Sequence, residues 1–185
     1  MTELDELISS RSSCRKFLDT PVPRDLLEKL ISAAQRAPSA RNQQPWHFYV
    51  VNNKELTTKI GKQAQVRLLE HEPKMAERAE TFKVSNILFY DAPTVIFCTC
   101  NKKAISTRYL DMGLAIENIL LMAERLGLGC VPVGWIVGHG KDIVDAELKI
   151  PEDEELVLAI PVGYKDTSVD GGRRDRKENI VTWID

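Results

Sequence analysis

The chain predicts one domain, residues 1–185, mixing helices and strands in the α/β or α+β class, and three observations carry that prediction. Helical stretches alternate with short strand-like runs along the whole sequence. Two apolar runs, TVIFCTC at 94–100 and ELVLAIPVGY at 155–164, suit interior strands. The third is the stretch from Arg108 to Gly138, RYLDMGLAIENILLMAERLGLGCVPVGWIVG. It reads as a long helix to about Leu126, a Gly-Leu-Gly stop, and a short apolar strand ending in a Pro-Val-Gly turn.

That long helix organises the rest. At about 100° per residue, Met112, Ala115, Ile116, Ile119, Leu120, Met122, Ala123 and Leu126 form one broad apolar face. Asp111, Glu117, Asn118, Glu124 and Arg125 lie opposite, interrupted by Leu114 and Leu121 one heptad apart. A helix apolar on nearly all sides belongs in the middle of a core, at a subunit interface, or both. Gly127 stands where a C-cap glycine is expected, and Arg125 suits the negative end of the helix dipole.

Taken in order, residues 2–10 give a short amphipathic helix with Leu4, Leu7 and Ile8 on one side. RSSCRKF, residues 11–17, follows with three cations and two hydroxyls. Arginine forks and serine hydroxyls suit a phosphate, although a solvated turn has the same composition. Pro23 opens a second helix striped by Leu26, Leu27, Leu30, Ile31 and Ala34, which stops at Pro38. The next segment, PSARNQQPWHFY, carries Ser39, Ala40, Asn42, Gln43 and Gln44, too polar to fill a core but able to line a planar polar ligand. A strand runs over 47–51, where a lone His47 reads as packing rather than catalysis. Residues 54–90 look helical, broken by Pro73, and suit either a surface helix pair or a substrate lid. KDIVDAELKI is a short helix closed by Pro151. The polar tail is basic at 173–177 and ends on IVTWI, apolar residues that want a sheet edge or a partner.

Composition narrows the function classes. The formal net charge of −2 argues against a general nucleic-acid binder. No apolar run approaches the roughly 20 residues of a membrane helix, and the first residues show no signal peptide. Cysteines 14, 98, 100 and 130 lack the spacing of a structural zinc site, so no metal is expected. Cys98 and Cys100 share a strand face and read as buried thiols, which fits a reducing cytoplasm. A metal-binding module built on Cys98 and Cys100 is the alternative.

RSSCRKF, PSARNQQPWHF and GLGCVPVGW, in that order and followed by RRDR, resemble the FMN-dependent nitroreductase family across essentially the whole chain. The resemblance implies a three-layer α/β/α sandwich of the α+β class, with a mixed, mostly antiparallel sheet around a long central helix. It also implies a homodimer with one FMN in each of two interface grooves. By the same resemblance, Arg11 contacts the phosphate, Ser12 and Ser13 line the ribityl chain and ring edge, and Arg15 faces the flavin pyrimidine. Pro38, Ser39, Ala40 and Asn42 match the segment that the other subunit lays against the flavin. Pro132, Val133 and Gly134 match the turn whose N–H approaches N5, and Arg174 and Arg176 match a cationic pair on the phosphate. Ser12 and Ala40 depart from the family's frequent Arg and Ser, and no Asn or Lys in 65–80 matches its mid-chain contacts.

The expected activity is transfer of electrons from NAD(P)H through FMN to a nitroaromatic, quinone or similar small acceptor, by a ping-pong mechanism. The flavin carries the chemistry, so no catalytic side chain is expected, with Arg15 and Gly134 tuning it electrostatically. Reductive dehalogenation, or a flavin-binding or sensing dimer without turnover, are the competing readings on the same scaffold.

Overall fold

The structure is a computed structural model that describes residues 2–169, 176–178 and 180–184. Its first helix, α1 (Glu3–Ser10), starts at a reciprocal cap. The Thr2 hydroxyl accepts from the Asp5 N–H at 3.2 Å, and the Asp5 carboxylate accepts from the Thr2 N–H at 2.8 Å. Pro23 caps α2 (Arg24–Ala34), which buries Leu27, Leu30 and Ala34. Then come β1 (Trp46–Val51), α3 (Lys54–His71), α4 (Glu77–Phe82) and β2 (Thr94–Asn101). The chain ends its regular structure with α5 (Arg108–Arg125), β3 (Leu128–Cys130), α6 (Trp135–Leu148) and β4 (Glu154–Tyr164).

The four strands form one antiparallel sheet in the order β1-β2-β4-β3. Trp46 stands opposite Cys100, Thr94 opposite Val162, and Leu128 opposite Tyr164. A parallel bridge joins Ser13 to Cys130 outside β3, giving the sheet its mixed character. Side chains alternate between two faces, as a strand requires. Val95 and Phe97 enter one core with Ile60, Leu68, Ile136 and Val144 of α3 and α6. Ile96, Cys98 and Cys100 enter a second core with Leu30, Met112 and Ile119 of α2 and α5. Helices therefore cover both faces, and the expected three-layer sandwich is what the chain forms. Cys98 and Cys100 are free and fully buried.

Helix α5 ends as its sequence predicts, with Gly127 in the left-handed region at φ +72°. Its expected face is buried, with Met112, Ala115, Ile119 and Ala123 shielded completely. Part of the opposite side is open among the described residues: Leu110 is 69% exposed, Tyr109 48% and Leu114 44%.

Three readings need correction. Residues 54–90 are not helical throughout; the last helix there stops at Phe82, and 83–92 is irregular yet buried from Asn86 to Tyr90. Tyr90 and Asp91 take left-handed angles, while the Asn86 side chain accepts from the Leu88 and Phe89 N–H groups at 3.0 and 3.1 Å. Helix α6 starts at Trp135, not in the 141 region, so the Pro-Val-Gly turn leads straight into it. Asp111 is no solvent-facing residue but is buried, 5% exposed. The terminal Ile180, Val181, Trp183 and Ile184 are 59–93% exposed, which leaves a partner as the other surface the sequence offered them. Among the described residues, no helix is long and apolar enough to cross a membrane.

Candidate functional site

The RSSCRKF segment leaves α1 at Arg11, whose N–H donates to the Leu7 carbonyl at 3.1 Å. It is then stitched to the outer edge of the sheet. Cys14 N–H donates to the Cys130 carbonyl at 3.0 Å, Leu18 N–H to Tyr164 at 2.9 Å, and Asp166 N–H to Lys16 at 3.1 Å. Gly129 permits this approach, since a Cβ there would lie 2.6 Å from the Cys14 Cβ and Sγ.

The stitching opens a cavity of about 320 Å³ walled by Ser12, Ser13, Arg15, Lys16, Phe82 and Lys165. Arg15 is its notable group. The guanidinium lies 5.8 Å from the Phe82 ring centroid and reaches the Ser13 carbonyl only at 3.4 Å. Its Nε is shielded from solvent and has no acceptor, an arrangement that costs free energy unless a ligand supplies one. Lys165 is neutralised by Glu124 at 2.7 Å, and Lys16 donates to the Lys83 carbonyl at 2.5 Å. Burial pushes the Cys14 thiol pKa up, so this cysteine is a wall and not a nucleophile.

The parallel bridge at Cys130 brings the second predicted segment alongside. Val133 is buried and exchanges hydrogen bonds with Ala159 at 2.8 and 3.1 Å, which fixes the turn on β4. Pro132 and Gly134 are exposed, and a Cβ on Gly134 would meet nothing within 4 Å. Gly134 therefore stands at the open surface where the turn leads into α6.

Loop 38–44 stands elsewhere. Arg41, Asn42 and Gln44 adopt positive φ of 54°, 54° and 45°, with the Ser39 hydroxyl accepting from the Gln44 N–H at 2.9 Å. The Ala40 N–H donates to both Asp111 carboxylate oxygens at 3.3 Å, and Gln43 Oε1 accepts from the Ile105 N–H at 3.1 Å. The loop is thus fastened to the first turn of α5 and leads into β1, one edge of the sheet. Ser13 lies beyond β3 at the other edge. Four strand spacings of about 4.8 Å separate those edges, roughly 19 Å.

The structure therefore sets Ser12, Ser13 and Arg15 on one cavity, just after Arg11 at the end of α1, ties their segment to Cys130 shortly before Pro132, Val133 and Gly134, and leaves Pro38, Ser39, Ala40 and Asn42 apart from them within one chain. Arg174 lies outside the described residues, and Arg176 is exposed. Lys16 was read only as one of the three cations of RSSCRKF, and Phe82, Lys165 and Asp111 were missed as site residues by sequence reasoning. Phe82 offered only its place at the end of a charged amphipathic stretch, and nothing in the sequence pointed to the others.

The layers, the antiparallel sheet with its stitched N-terminal segment, and a cation-walled cavity at the sheet edge define a class of α+β sandwich proteins. Within it, the chain belongs to the nitroreductase family, whose model matches residues 8–164. A Methanothermobacter thermautotrophicus protein with the provisional name NADH dehydrogenase/NAD(P)H nitroreductase is 33% identical over 163 residues, covering 86% of this chain and 75% of that one. A nitrobenzene nitroreductase of Ectopseudomonas oleovorans is 28% identical over 203 residues, covering 90% and 88%. A Desulfitobacterium hafniense nitroreductase solved with bound FMN superposes with a TM-score of 0.85 at 26% identity, covering all of both chains.

Proposed function

We propose that this chain is an FMN-dependent oxidoreductase that takes electrons from NAD(P)H and passes them to a small electrophilic acceptor such as a nitroaromatic or a quinone. The observation that carries the reading is the shielded, acceptor-less Arg15 Nε of a residue that walls the cavity, on a segment bridged to Cys130 just ahead of the open Gly134 turn. A flavin fits that pair of features, offering an oxygen-bearing, electron-rich edge to the guanidinium and a flat ring to the open space. FMN, when bound, supplies the hydride chemistry.

The chain's residues do the rest. Arg15, held against Phe82, stabilises negative charge at the pyrimidine edge. The Gly134 N–H orients the reactive ring face, and Ser12 and Ser13 offer hydroxyls along the sugar chain. Arg11, with Arg174 and Arg176, holds the phosphate. Donor and acceptor both exchange electrons with the one flavin, so alternate use of a shared place over its ring, a ping-pong scheme, is part of the proposal.

The site is built by a homodimer. Loop 38–44 carries ligand-type groups some 19 Å across the sheet from its own cavity, by the strand spacing above, so a second copy supplies Pro38, Ser39, Ala40 and Asn42. The exposed Leu110 and Leu114 of α5 give that copy a seat. At about 1.5–3 kcal/mol per fully buried leucine, covering them yields about 2–3 kcal/mol per chain. Four free cysteines fit a reducing cytoplasm as the setting.

The test is mass spectrometry of the released cofactor together with an acceptor screen using NADH and NADPH. FMN and rapid turnover of a nitroaromatic or quinone are expected. Release of FAD, or a flavin that NAD(P)H does not reduce, refutes the reading.

A further inference from the structure

Arg78, on α4, is a second arginine in the neighbourhood of the cavity and has no part in the reading above. Its guanidinium lies 5.3 Å from the Phe82 centroid and 5.6 Å from the Tyr90 centroid. One terminal nitrogen donates to the Tyr90 hydroxyl at 2.5 Å. Those contacts fix its plane but neutralise no charge. None of the ion pairs among the described residues involves Arg78, whereas two other half-buried cations have carboxylate partners, Arg108 with Glu155 at 2.8 Å and Lys165 with Glu124 at 2.7 Å. Glu77 and Glu80 on the same short helix are exposed and do not pair with it. The nearby Asp91 is occupied by the Ser85 and Asn86 N–H groups at 2.7 and 3.0 Å.

Arg78 also has an Nε shielded from solvent without an acceptor, as Arg15 does. The two guanidiniums flank one ring, 5.8 and 5.3 Å from its centroid, so their separation is no more than the sum of those distances. Phe82 and Arg15 wall the cavity, and Arg78 lies against the same ring, next to that wall. A fixed planar fork with no counter-charge is the arrangement that recognises a carboxylate.

We propose that Arg78 is an anion-recognition residue that selects aromatic acceptors bearing a carboxylate. This rests on the reading that the flavin ring lies at Arg15. The acceptor's ring stacks over the flavin beside Phe82, and its carboxylate meets the Arg78 fork. Binding gives the orphaned Nε its acceptor and balances the buried charge, while a neutral acceptor gains neither.

The test uses the FMN-loaded protein, wild type and Arg78→Gln, with 4-nitrobenzoate and nitrobenzene as acceptors and NADH and NADPH as donors. Benzoate and benzamide are also titrated against the oxidised flavin spectrum. The wild type should bind benzoate more tightly than benzamide. In Arg78→Gln, kcat/KM for 4-nitrobenzoate should fall at least tenfold further than for nitrobenzene, with benzoate affinity falling in step. Arg78→Lys, which keeps the charge without the fork, should lose selectivity in part, and it serves if the glutamine variant does not fold. Equal losses for both acceptors, or a loss confined to the KM of NADPH or NADH, overturn the proposal, the latter assigning Arg78 to the dinucleotide phosphates. If the wild type reduces neither acceptor, the oxidoreductase reading fails by itself, and the benzoate titration still decides the anion site.

Discussion

Replacing Asp111 by alanine tests the link between α5 and the loop expected to reach a neighbouring flavin. Asp111 is buried, and both of its oxygens accept from the Ala40 N–H at 3.3 Å. Hydrogen bonds to charged groups contribute about 1.5–3 kcal/mol. These are long, so the lower end applies, about 1.5 kcal/mol. The Gln43–Ile105 bond at 3.1 Å remains in the variant, so the loop loosens without detaching. If the loop closes over the partner's cofactor, that free energy appears in FMN binding as a roughly tenfold weaker Kd. Thermal stability of the apoprotein should fall by only about 3–6 °C for a domain of this size. Asp111→Asn keeps the volume and one acceptor and should lose less. Flavin fluorescence titration reads the Kd, and calorimetry reads the stability. A variant that loses stability yet binds FMN as tightly as the wild type would show that loop 38–44 does not touch flavin.

Two further outcomes follow from the same geometry. Gly129→Ala forces a Cβ to within 2.6 Å of Cys14 and 2.9 Å of Lys165 Cγ. Overpacking of this kind costs about 1–3 kcal/mol, and because it pushes Ser13–Arg15 off the sheet, FMN affinity should fall together with the melting temperature; a stability loss with unchanged affinity contradicts the placement. Burial raises the Cys100 thiol pKa to about 12 and moves Cys98 up as well, so neither forms thiolate as pH rises through 9. Their alkylation in the native protein should stay slow over that range, and Cys98→Ser with Cys100→Ser should lower stability while leaving the rate of flavin reduction unchanged. Fast native alkylation, or a folded double variant that cannot be reduced, would assign them a role.

The sequence carried the layers well because periodicity records burial. The alternation in TVIFCTC splits its residues between two cores as drawn, and Gly127 ends α5 where a left-handed residue is needed. It carried α6 and residues 83–92 poorly, for different reasons. The Pro-Val-Gly turn runs straight into the helix, and a Cβ at Gly140 would lie 2.7 Å from the Ala64 Cβ, so that glycine lets α3 and α6 pack, which only the fold reveals. In 83–92 the run NILFY looks like a helix face, but the Asn86 side chain takes the N–H groups a helix would use. Asp111 was unreadable in another way. A carboxylate in a first helical turn suits the helix dipole when exposed, and only the loop folding across it reveals its partner. At the candidate site, the segments at 11–15 and 132–134 were legible as polar or turn-forming motifs. Phe82 and Arg78 were not, since their significance lies in rings and guanidiniums meeting across the fold.

The central claim, that flavin is held between two copies of the chain, is tested most directly by sedimentation velocity monitored at flavin wavelengths. The wild type is compared with Leu114→Glu combined with Leu121→Glu. Leu114 is 44% exposed on the open side of α5, and Leu121 lines the neighbouring groove with Leu4 and Leu7. A charge at the exposed Leu114 is tolerated by a monomer, and Leu121 is half-buried, whereas both charges cost several kcal/mol if buried unpaired in an interface. The account predicts that the wild type sediments as a dimer carrying the flavin absorbance, with one FMN per chain. It predicts that the variant sediments as a folded monomer, with its flavin left free in the supernatant. A folded monomer that still carries tightly bound FMN would contradict it.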